Sequence, residues 1–269
     1  MRRITEEASL YDDLEQKPVA ELLRDINRED HRVADAVEKA LPQITRLTEK
    51  IVERMRQGGR LFYIGAGTSG RLGVLDASEL PPTYGTDPRL VVGLIAGGDT
   101  ALRHAVEHAE DDERQGWRDL AGQGIAPGDT VIGIAASGTT PYVVGALRQA
   151  RAHGIVTGCV TSNPDTPLEA VSDYPVVTIV GPEFVTGSSR MKSGTAQKMV
   201  LNMISTTVMI RLGKVQGNQM VDMELTNEKL IDRAVRMVMA HDHLSYDAAK
   251  KELMRKSLEE IMRGPATVE

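Results

Sequence analysis

The sequence predicts an α/β protein whose core is a doubly wound, five-stranded parallel sheet flanked by helices. After residue 60, short apolar runs rich in β-branched residues alternate with segments of helical periodicity. The runs are apolar at nearly every position, which is typical of strands buried on both faces of a parallel sheet. Two of the runs lead directly into loops of glycine and hydroxyl side chains, and ligands of such sheets bind beyond the carboxyl ends of the strands.

Each strand and each crossover helix is predicted from its own stretch of sequence. Alternating strands and helices of this kind indicate βαβ units. The strands are predicted at residues 61–65, 90–96, 130–135, 155–161 and 175–180. The helices between them are predicted at residues 69–78, 99–121, 140–153 and 165–172.

The segments outside the sheet are predicted to be helical as well, apart from a polar N-terminal arm. Glycines and polar residues at their ends mark where these helices stop. The arm covers residues 1 to about 15, and the helical stretches are 19–26, 32–57, 193–212, 227–240 and 245–262. This divides the chain into an N-terminal arm with helices (1–55), the α/β domain (56–218) and a short C-terminal helical appendage (219–269).

The bulk composition predicts a soluble, cytoplasmic protein. The chain has 269 residues and 41% hydrophobic content, enough for one large α/β domain and an appendage. A net charge of −6 argues against a general nucleic-acid binder, and the one cysteine, Cys159, excludes an internal disulfide. The N-terminus lacks the apolar core of a secretion signal, and no apolar stretch is long enough to cross a bilayer.

The two hydroxyl loops are the first candidate binding site. Residues 65–71 (GAGTSGR) follow the first predicted strand, and residues 136–141 (ASGTTP) follow the third. Hydroxyls and backbone N–H groups at a helix N-terminus bind a phosphate monoester well. The structural alternative is that Ser69 and Thr140 only cap their helices. Two such loops at strand ends favour phosphate binding.

The first loop also matches the dinucleotide-binding pattern G-x-G-x-x-G, with Asp99 near the place of the expected acid. The hydroxyls of Thr68 and Ser69 argue against this interpretation, because they would protrude into the space that a pyrophosphate fills. Nothing else in the chain suggests a hydride-acceptor site.

Residues 104–108 match the pattern H-x-x-E-H, in which His104 and His108 hold zinc and Glu107 acts as a base. On a helix, this i, i+4 spacing places both histidines on one face. The segment falls in a predicted crossover helix and no third ligand is evident, so we expect no metal site.

Two glutamates between the hydroxyl loops are the candidate catalytic groups. Glu79 precedes two prolines, Pro81 and Pro82, which are expected to end its helix. The dipole at such a helix end favours the protonated carboxyl, as a general acid requires. Glu110 begins a run of four acidic residues, whose mutual repulsion suits a base that works near neutral pH. The structural alternatives are a surface carboxylate and a solvated acidic face.

A third polar segment, residues 183–198, precedes the long apolar helix and is dense in hydrogen-bond donors. Arg190 and Lys192 are candidates to contact a phosphate or a carboxylate of the ligand. The alternative is helix capping combined with a subunit interface. The methionines Met199, Met203 and Met209 on that helix predict core or dimer packing.

Taken together, these segments resemble the N-acetylmuramic acid 6-phosphate etherases, a branch of the sugar-isomerase (SIS) phosphosugar-binding domains. The glucokinase regulatory proteins look similar around residues 187–198 but are much longer. Two departures from the family pattern are Thr139, where many members carry arginine, and a shortened C-terminus after about Asp242. The resemblance covers about residues 4–240, and its marks are residues 61–79, 94–98, 107–111, 135–138 and 186–198.

The resemblance implies a lyase that cleaves the C3 D-lactyl ether of N-acetylmuramic acid 6-phosphate in cell-wall amino-sugar recycling. It assigns Glu79 as the acid that protonates the leaving lactyl oxygen and Glu110 as the base at C2, although the sequence does not order the two roles. No metal or cofactor is implied, since the substrate's own carbonyl is the electron sink. The implied phosphate and sugar contacts are Gly67, Thr68, Ser69, Ser137, Gly138, Thr139, Thr140, Ser188, Ser189, Arg190 and Lys192.

Other functions on the same fold remain open at this point. A phosphosugar isomerase needs one base and not two carboxyls, and a non-catalytic phosphosugar sensor needs neither glutamate. A transcription regulator of the SIS type needs a helix-turn-helix and a basic face, and the N-terminal helices are acidic in balance. The long methionine-rich helix predicts a homodimer whose partner chain completes the site.

Overall fold

The core of the molecule is a five-stranded parallel sheet, as the sequence predicts. The structure is a computed structural model that describes residues 3–223, 225 and 228–264. The strands are β1 (Leu61–Gly65), β2 (Val91–Ile95), β3 (Thr130–Ile134), β4 (Val156–Thr161) and β5 (Tyr174–Val177). Their order is β2-β1-β3-β4-β5, with every neighbouring pair parallel.

Helices surround the sheet and follow it toward the C-terminus. Short 3-10 turns at Ile4–Glu6 and Leu14–Gln16 precede them. The helices are α1 (Val19–Arg56), α2 (Gly67–Tyr84), α3 (Thr100–Arg103), α4 (Gln115–Gly122), α5 (Pro141–Ala152), α6 (Pro167–Ala170), α7 (Lys192–Arg211), α8 (Glu228–Asp242), α9 (Tyr246–Leu253) and α10 (Leu258–Arg263). A short antiparallel hairpin of two strands, β6 (Val215–Gln216) and β7 (Gln219–Met220), lies between α7 and α8.

The strands owe their apolar character to burial on both faces. All residues of β1, β3 and β4 are buried. Close packing of α2 on the sheet requires glycine, because a Cβ on Gly70 would lie 2.6 Å from Ile95 and one on Gly93 would lie 2.5 Å from Val74. Gly70, which lies within the first hydroxyl loop, is therefore required for packing as well as for the loop.

The N-terminal helical stretches form one continuous helix, α1, which corrects the prediction of two. In and just before the polar segment between them, the acidic residues Glu29 and Asp25 are buried and paired, whereas Asp30 is exposed. Lys17 approaches Asp25 to 3.0 Å, and Lys192 approaches Glu29 to 2.6 Å. Helix α1 also continues through Pro42, because packing of its apolar face compensates for the backbone hydrogen bond that proline cannot form. The side-chain oxygen of Gln43 on α1 accepts a hydrogen bond from the backbone N–H of Val177 in β5 at 2.8 Å.

Three other predicted helix boundaries are wrong. Helix α2 continues through Pro81 and Pro82 to Tyr84, since the φ of proline is helical and the carbonyl of Pro81 still accepts from Gly85 at 2.9 Å. The predicted helix 245–262 is two helices, because Ser257 forms a capping box with Glu260 and starts α10. The predicted helix 99–121 is also interrupted. The predicted start of α8 at Asn227 lies outside the described residues.

The chain divides into two compact units. The first comprises residues 1–78 and 89–208 and contains the sheet; the second comprises residues 79–88 and 209–269. Each has its own apolar cluster, built around Tyr142 and Leu147 in the first and around Val235 and Val238 in the second. No helix in the described residues is long and apolar enough to cross a membrane.

Two buried titratable groups of the sheet serve packing. Cys159 on β4 is fully buried, and burial raises the pKa of its thiol to about 11. Tyr63 on β1 donates to Asp76 on α2 at 3.0 Å, and Ser205 on α7 donates to the other oxygen of Asp76 at 3.1 Å. Burial raises the pKa of Asp76 in spite of these two hydrogen bonds. This cluster fixes α2 and α7 against β1.

Candidate active site

A pocket of about 400 Å³ lies at the carboxyl ends of β1 and β3. The chain leaves β1 toward β2 on one side and reaches β3 on the other, so this is the switch point of the sheet, where ligands of such folds bind. Both hydroxyl loops line it. The lining, as the structure describes it, contains no lysine or arginine. It consists of Ala66, Gly67, Thr68, Ser69, Glu110, Asp111, Ala135, Ala136, Ser137, Thr139, Thr140, Pro141 and Ser189.

The first hydroxyl loop is also the first turn of α2. The helix begins at Gly67, whose φ of +53° is in the left-handed region. Its free N–H groups and the positive end of its dipole lie at the pocket. Ser69 lies inside the helix and not at its N-cap, and its hydroxyl donates to Gln197 Oε1 of α7 at 2.9 Å. The structure therefore does not support the interpretation of Ser69 as a helix cap.

The second hydroxyl loop is held by hydrogen bonds within the loop and by others from the buried side chain of Asn163. The N–H and the hydroxyl of Thr139 donate to Ser137 Oγ at 3.2 and 3.1 Å. Asn163, which is fully buried, donates through Nδ2 to the carbonyls of Ala136 and Ser137 at 3.1 and 3.3 Å. Thr140 occupies the N-cap position of α5, but its side chain makes no capping hydrogen bond. Its hydroxyl is thus available to a ligand.

Replacing Gly138 by alanine is expected to distort this second loop. The φ of Gly138 is +69°, and an added Cβ would lie 2.5 Å from the side chain of Thr166. We expect the Gly138→Ala variant to lose about 1–3 kcal/mol of stability and to bind phosphosugars more weakly. Thermal unfolding and calorimetric titration with N-acetylglucosamine 6-phosphate measure the two effects.

The matched control is Gly128→Ala. A Cβ at Gly128 meets no atom within 4 Å, and its φ lies outside the left-handed region. That variant should unfold and bind like the parent chain. Equal behaviour of the two variants would contradict the role given to Gly138.

Glu110 reaches the pocket on a loop and not on a helix. The predicted helix 99–121 ends after one turn, α3, and helix resumes only at Gln115. The carbonyl of Glu110 accepts a hydrogen bond from the N–H of Tyr142 in α5 at 3.0 Å, which fixes the loop beside the second hydroxyl loop. The side chain of Glu110 is exposed and lines the pocket.

The same interruption removes the helical spacing of the H-x-x-E-H pattern. His104 ends α3, and His108 has a left-handed φ of +59°. His108 contacts Asp111, at 3.3 Å between Nδ1 and Oδ2. Within the described residues, no group of three potential ligands has the geometry of a metal site.

The polar segment before α7 contributes one residue to the pocket, Ser189. Ser188 and Arg190 adjoin it without lining the pocket, and Arg190 is exposed. Lys192 is only 1% exposed and pairs with Glu29, so the structure does not bring it to the pocket. The buried carboxylate of Glu183 accepts from the N–H groups of Lys192 and Ser193 at 2.8 and 2.9 Å and so caps α7.

Glu79 lies on α2, twelve residues beyond Gly67, and is exposed. Twelve residues of α-helix span about 18 Å. It is not among the residues that line the pocket. The structure thus brings together most of the predicted contacts and Glu110.

Sequence reasoning missed three residues at the site. Asp111 lines the pocket beside Glu110, Gln197 holds Ser69, and Asn163 holds the second loop. The Nε2 of Gln197 is buried and has no hydrogen-bond partner in the described structure. Asp111 could have been predicted from the sequence, because it directly follows the candidate Glu110. Gln197 and Asn163 look like ordinary polar residues until the fold shows what they contact.

Comparison with known proteins identifies the family. The family model of the glucokinase regulatory protein N-terminal SIS domain matches residues 43–151, and that of the SIS domain matches residues 118–206. The chain is 65% identical to the N-acetylmuramic acid 6-phosphate etherase of Bacteroides thetaiotaomicron over 94% of this chain and 91% of the relative. It belongs to the N-acetylmuramic acid 6-phosphate etherase family. The etherase of Porphyromonas gingivalis is 66% identical over 94% of this chain and 92% of its own.

The solved structures agree with this family at the level of the fold. Phosphoheptose isomerase from Neisseria gonorrhoeae superposes with a TM-score of 0.55 at 18% identity, over 71% of this chain and 98% of that chain. The parallel sheet of this chain therefore has the fold of an SIS domain. Its order also differs from that of dinucleotide-binding domains, in which the third strand lies beyond the second and not beside the first. The G-x-G-x-x-G pattern therefore lies in a sheet whose strand order is not that of the dinucleotide-binding domains.

Proposed function

We propose that this chain cleaves the C3 D-lactyl ether of N-acetylmuramic acid 6-phosphate to N-acetylglucosamine 6-phosphate and D-lactate. The observation that carries the proposal is the pocket at the switch point, where two hydroxyl loops flank the carboxyl of Glu110. The high identity to etherases over most of both chains supports it. Such an enzyme is a carbon–oxygen lyase.

The phosphate binds through hydroxyls and backbone N–H groups. Thr68, Ser69, Ser137 and Thr139 line the pocket, and α2 begins there. A phosphate dianion can be held at a helix N-terminus by such donors without lysine or arginine. Lys192 serves the fold in this proposal, because it is buried against Glu29. Ser189 contributes a further hydroxyl from the segment before α7.

The chemistry is an elimination followed by addition of water. In the open-chain aldehyde, Glu110 takes the proton from C2, and the electron pair forms the C2–C3 double bond as the C3–O bond to lactate breaks. The departing oxygen takes a proton from a second carboxyl, for which we propose Glu79. Water then adds at C3, and C2 regains a proton. The aldehyde stabilises the negative charge at C2, and each proton transfer contributes about 10²–10⁴-fold in rate.

The second carboxyl comes from a second copy of the chain in this proposal. Glu79 is exposed on α2 and is not among the residues that line the pocket. Exposed apolar side chains on α2 and α7, Leu75 and Met203, support a homodimer through these helices. In a two-fold dimer, Glu79 of each chain completes the pocket of the other.

Release of D-lactate from N-acetylmuramic acid 6-phosphate, measured with a chelator present, tests the activity. The wild-type chain should release one D-lactate and one N-acetylglucosamine 6-phosphate per substrate consumed. Isomerisation without lactate release would establish the isomerase alternative. Tight phosphosugar binding with no turnover would establish the sensor.

Mixed dimers test whether the site is shared. Glu79→Gln and Glu110→Gln chains should each be inactive, and co-expression of the two should restore about a quarter of the wild-type activity. Half of the dimers are then hybrids, and each hybrid has one intact site. If co-expression restores nothing while hybrids form, the two carboxyls do not work across the dimer.

The proposal also places the enzyme in the cytoplasm. A sugar that carries a phosphate does not cross a bilayer unaided, because charged groups are costly to bury in hydrocarbon. The enzyme therefore works in the compartment where its substrate is phosphorylated.

A further inference from the structure

A second cavity of about 330 Å³, called the side cavity here, adjoins the pocket. Ala66, Gly67, Glu110 and Asp111 line both. The side cavity extends from them toward the end of β2 and the loop after α3. A ligand whose phosphate occupies the hydroxyl loops can therefore place a substituent in the side cavity past the carboxyl of Glu110.

One wall of the side cavity is apolar and one group on it carries a permanent positive charge. The apolar wall consists of Ala96, Ala101, Ala105 and Val106. The cation is Arg71, on the second turn of α2. These features suit a small substituent that combines a methyl group with a carboxylate.

The guanidinium of Arg71 is positioned but not neutralised. Its Nε donates to the carbonyl of Leu102 at 3.0 Å, which holds it beside the apolar wall. In the described structure, no carboxylate lies within salt-bridge distance of its two terminal nitrogens. An oriented guanidinium with free terminal N–H groups can bind a carboxylate through two hydrogen bonds.

In the described structure, none of the acidic residues of the side cavity forms an ion pair with Arg71. Asp111 contacts His108, and Glu107 is exposed. Glu110 is the proposed catalytic carboxyl. An anionic substituent would be repelled by these groups, so its binding depends on the one permanent cation of the wall.

We propose that the side cavity is the subsite for the lactyl group, in which Arg71 binds the lactyl carboxylate and the alanine-lined wall accepts its methyl group. The inference rests on the proposed function, since it takes N-acetylmuramic acid 6-phosphate as the substrate. It makes Arg71 the residue that distinguishes this substrate from N-acetylglucosamine 6-phosphate, which lacks the lactyl group. Lys192, the cation that the sequence suggested for such a role, is buried elsewhere.

Calorimetric titration with three ligands tests the subsite. The ligands are N-acetylmuramic acid 6-phosphate, the same compound with its lactyl carboxylate converted to an amide, and N-acetylglucosamine 6-phosphate. A Glu110→Gln background prevents turnover. Adding Arg71→Gln should weaken binding of the first ligand about 10- to 100-fold and change binding of the other two by less than about 2-fold.

The matched control is Arg103→Gln, which removes the same charge from an exposed side chain at the end of α3. It should leave all three affinities unchanged. Equal weakening of all three ligands by Arg71→Gln would overturn the inference, because Arg71 would then serve the phosphate or the fold. No weakening of the first ligand would overturn it too. Failure of the proposed function is seen separately, as absence of D-lactate release by the wild-type chain.

Discussion

Glu110→Gln is expected to lower the rate of D-lactate release about 10²–10⁴-fold while the phosphosugar still binds. A neutral amide cannot accept the C2 proton. The side chain of Glu110 is exposed, and the loop is held through its carbonyl by the N–H of Tyr142. The substitution should therefore cost less than about 0.5 kcal/mol of stability. Steady-state kinetics and titration with N-acetylglucosamine 6-phosphate measure the two effects.

Exchange of the C2 hydrogen in deuterated water shows which carboxyl is the base. If Glu110 is the base, Glu110→Gln stops deuterium uptake at C2 of recovered substrate, whereas Glu79→Gln permits it. The reverse result exchanges the two roles. Glu113→Gln is the control, because Glu113 lies in the same acidic run, is exposed, and forms an ion pair with Arg148 away from the pocket. A fall of less than 10-fold in Glu110→Gln would remove Glu110 from the chemistry.

Glu29→Gln is expected to destabilise the protein by about 3–5 kcal/mol. Lys192 Nζ lies 2.6 Å from Glu29 Oε2, and both side chains are 2% exposed. Without the carboxylate, the ammonium of Lys192 stays buried with no counter-charge in the described structure. Chemical denaturation measures the loss. Glu53→Gln on the same helix is the control, since the Glu53 carboxylate is exposed and solvent screens its ion pair with Lys50.

The double variant Glu29→Gln, Lys192→Met separates a buried unpaired charge from general damage to packing. It lacks both members of the buried Lys192–Glu29 pair, so it leaves no unpaired ammonium and should be more stable than Glu29→Gln alone. A double variant that is less stable than both single variants would contradict this account. Because Lys192 begins α7 and Ser189 lies just before it, Glu29→Gln should also weaken phosphosugar binding.

Stability at acid pH depends on the same pair. Burial acts to raise the pKa of Glu29, but hydrogen bonds from Lys192 and Tyr11 and the charges of Lys192 and Arg32 outweigh it, so the pKa lies below its ordinary value of 4.5. A lowered pKa in the folded state adds stability that is full above the unfolded-state pKa and is lost as pH falls through the folded-state pKa. The free energy of unfolding of Glu29→Gln should therefore vary less with pH on the acid side than that of the wild type.

The strands and the two hydroxyl loops were predictable because their signals are local. A run of β-branched residues buried on both faces and a glycine-rich turn after it are both visible within about ten residues. Residues 61–65 form β1 as predicted, and both loops follow their strands. The prediction of one helix at 99–121 was wrong, because the polar composition of this segment suits an exposed helix and a loop held by α5 equally well.

The sequence by itself determined the fold class, the family and the loops that form the pocket. Only the tertiary structure decided which polar side chains reach that pocket. Lys192 is buried against Glu29, 163 residues away, and does not reach the pocket. Ser69 donates its hydroxyl hydrogen to Gln197, 128 residues away. A charged residue near a loop looks the same in sequence whether it faces a ligand or a buried counter-charge. Which of the two occurs depends on a partner that is distant in sequence and comes close only in the folded chain. A charged side chain is buried at a tolerable cost in free energy only when it is paired.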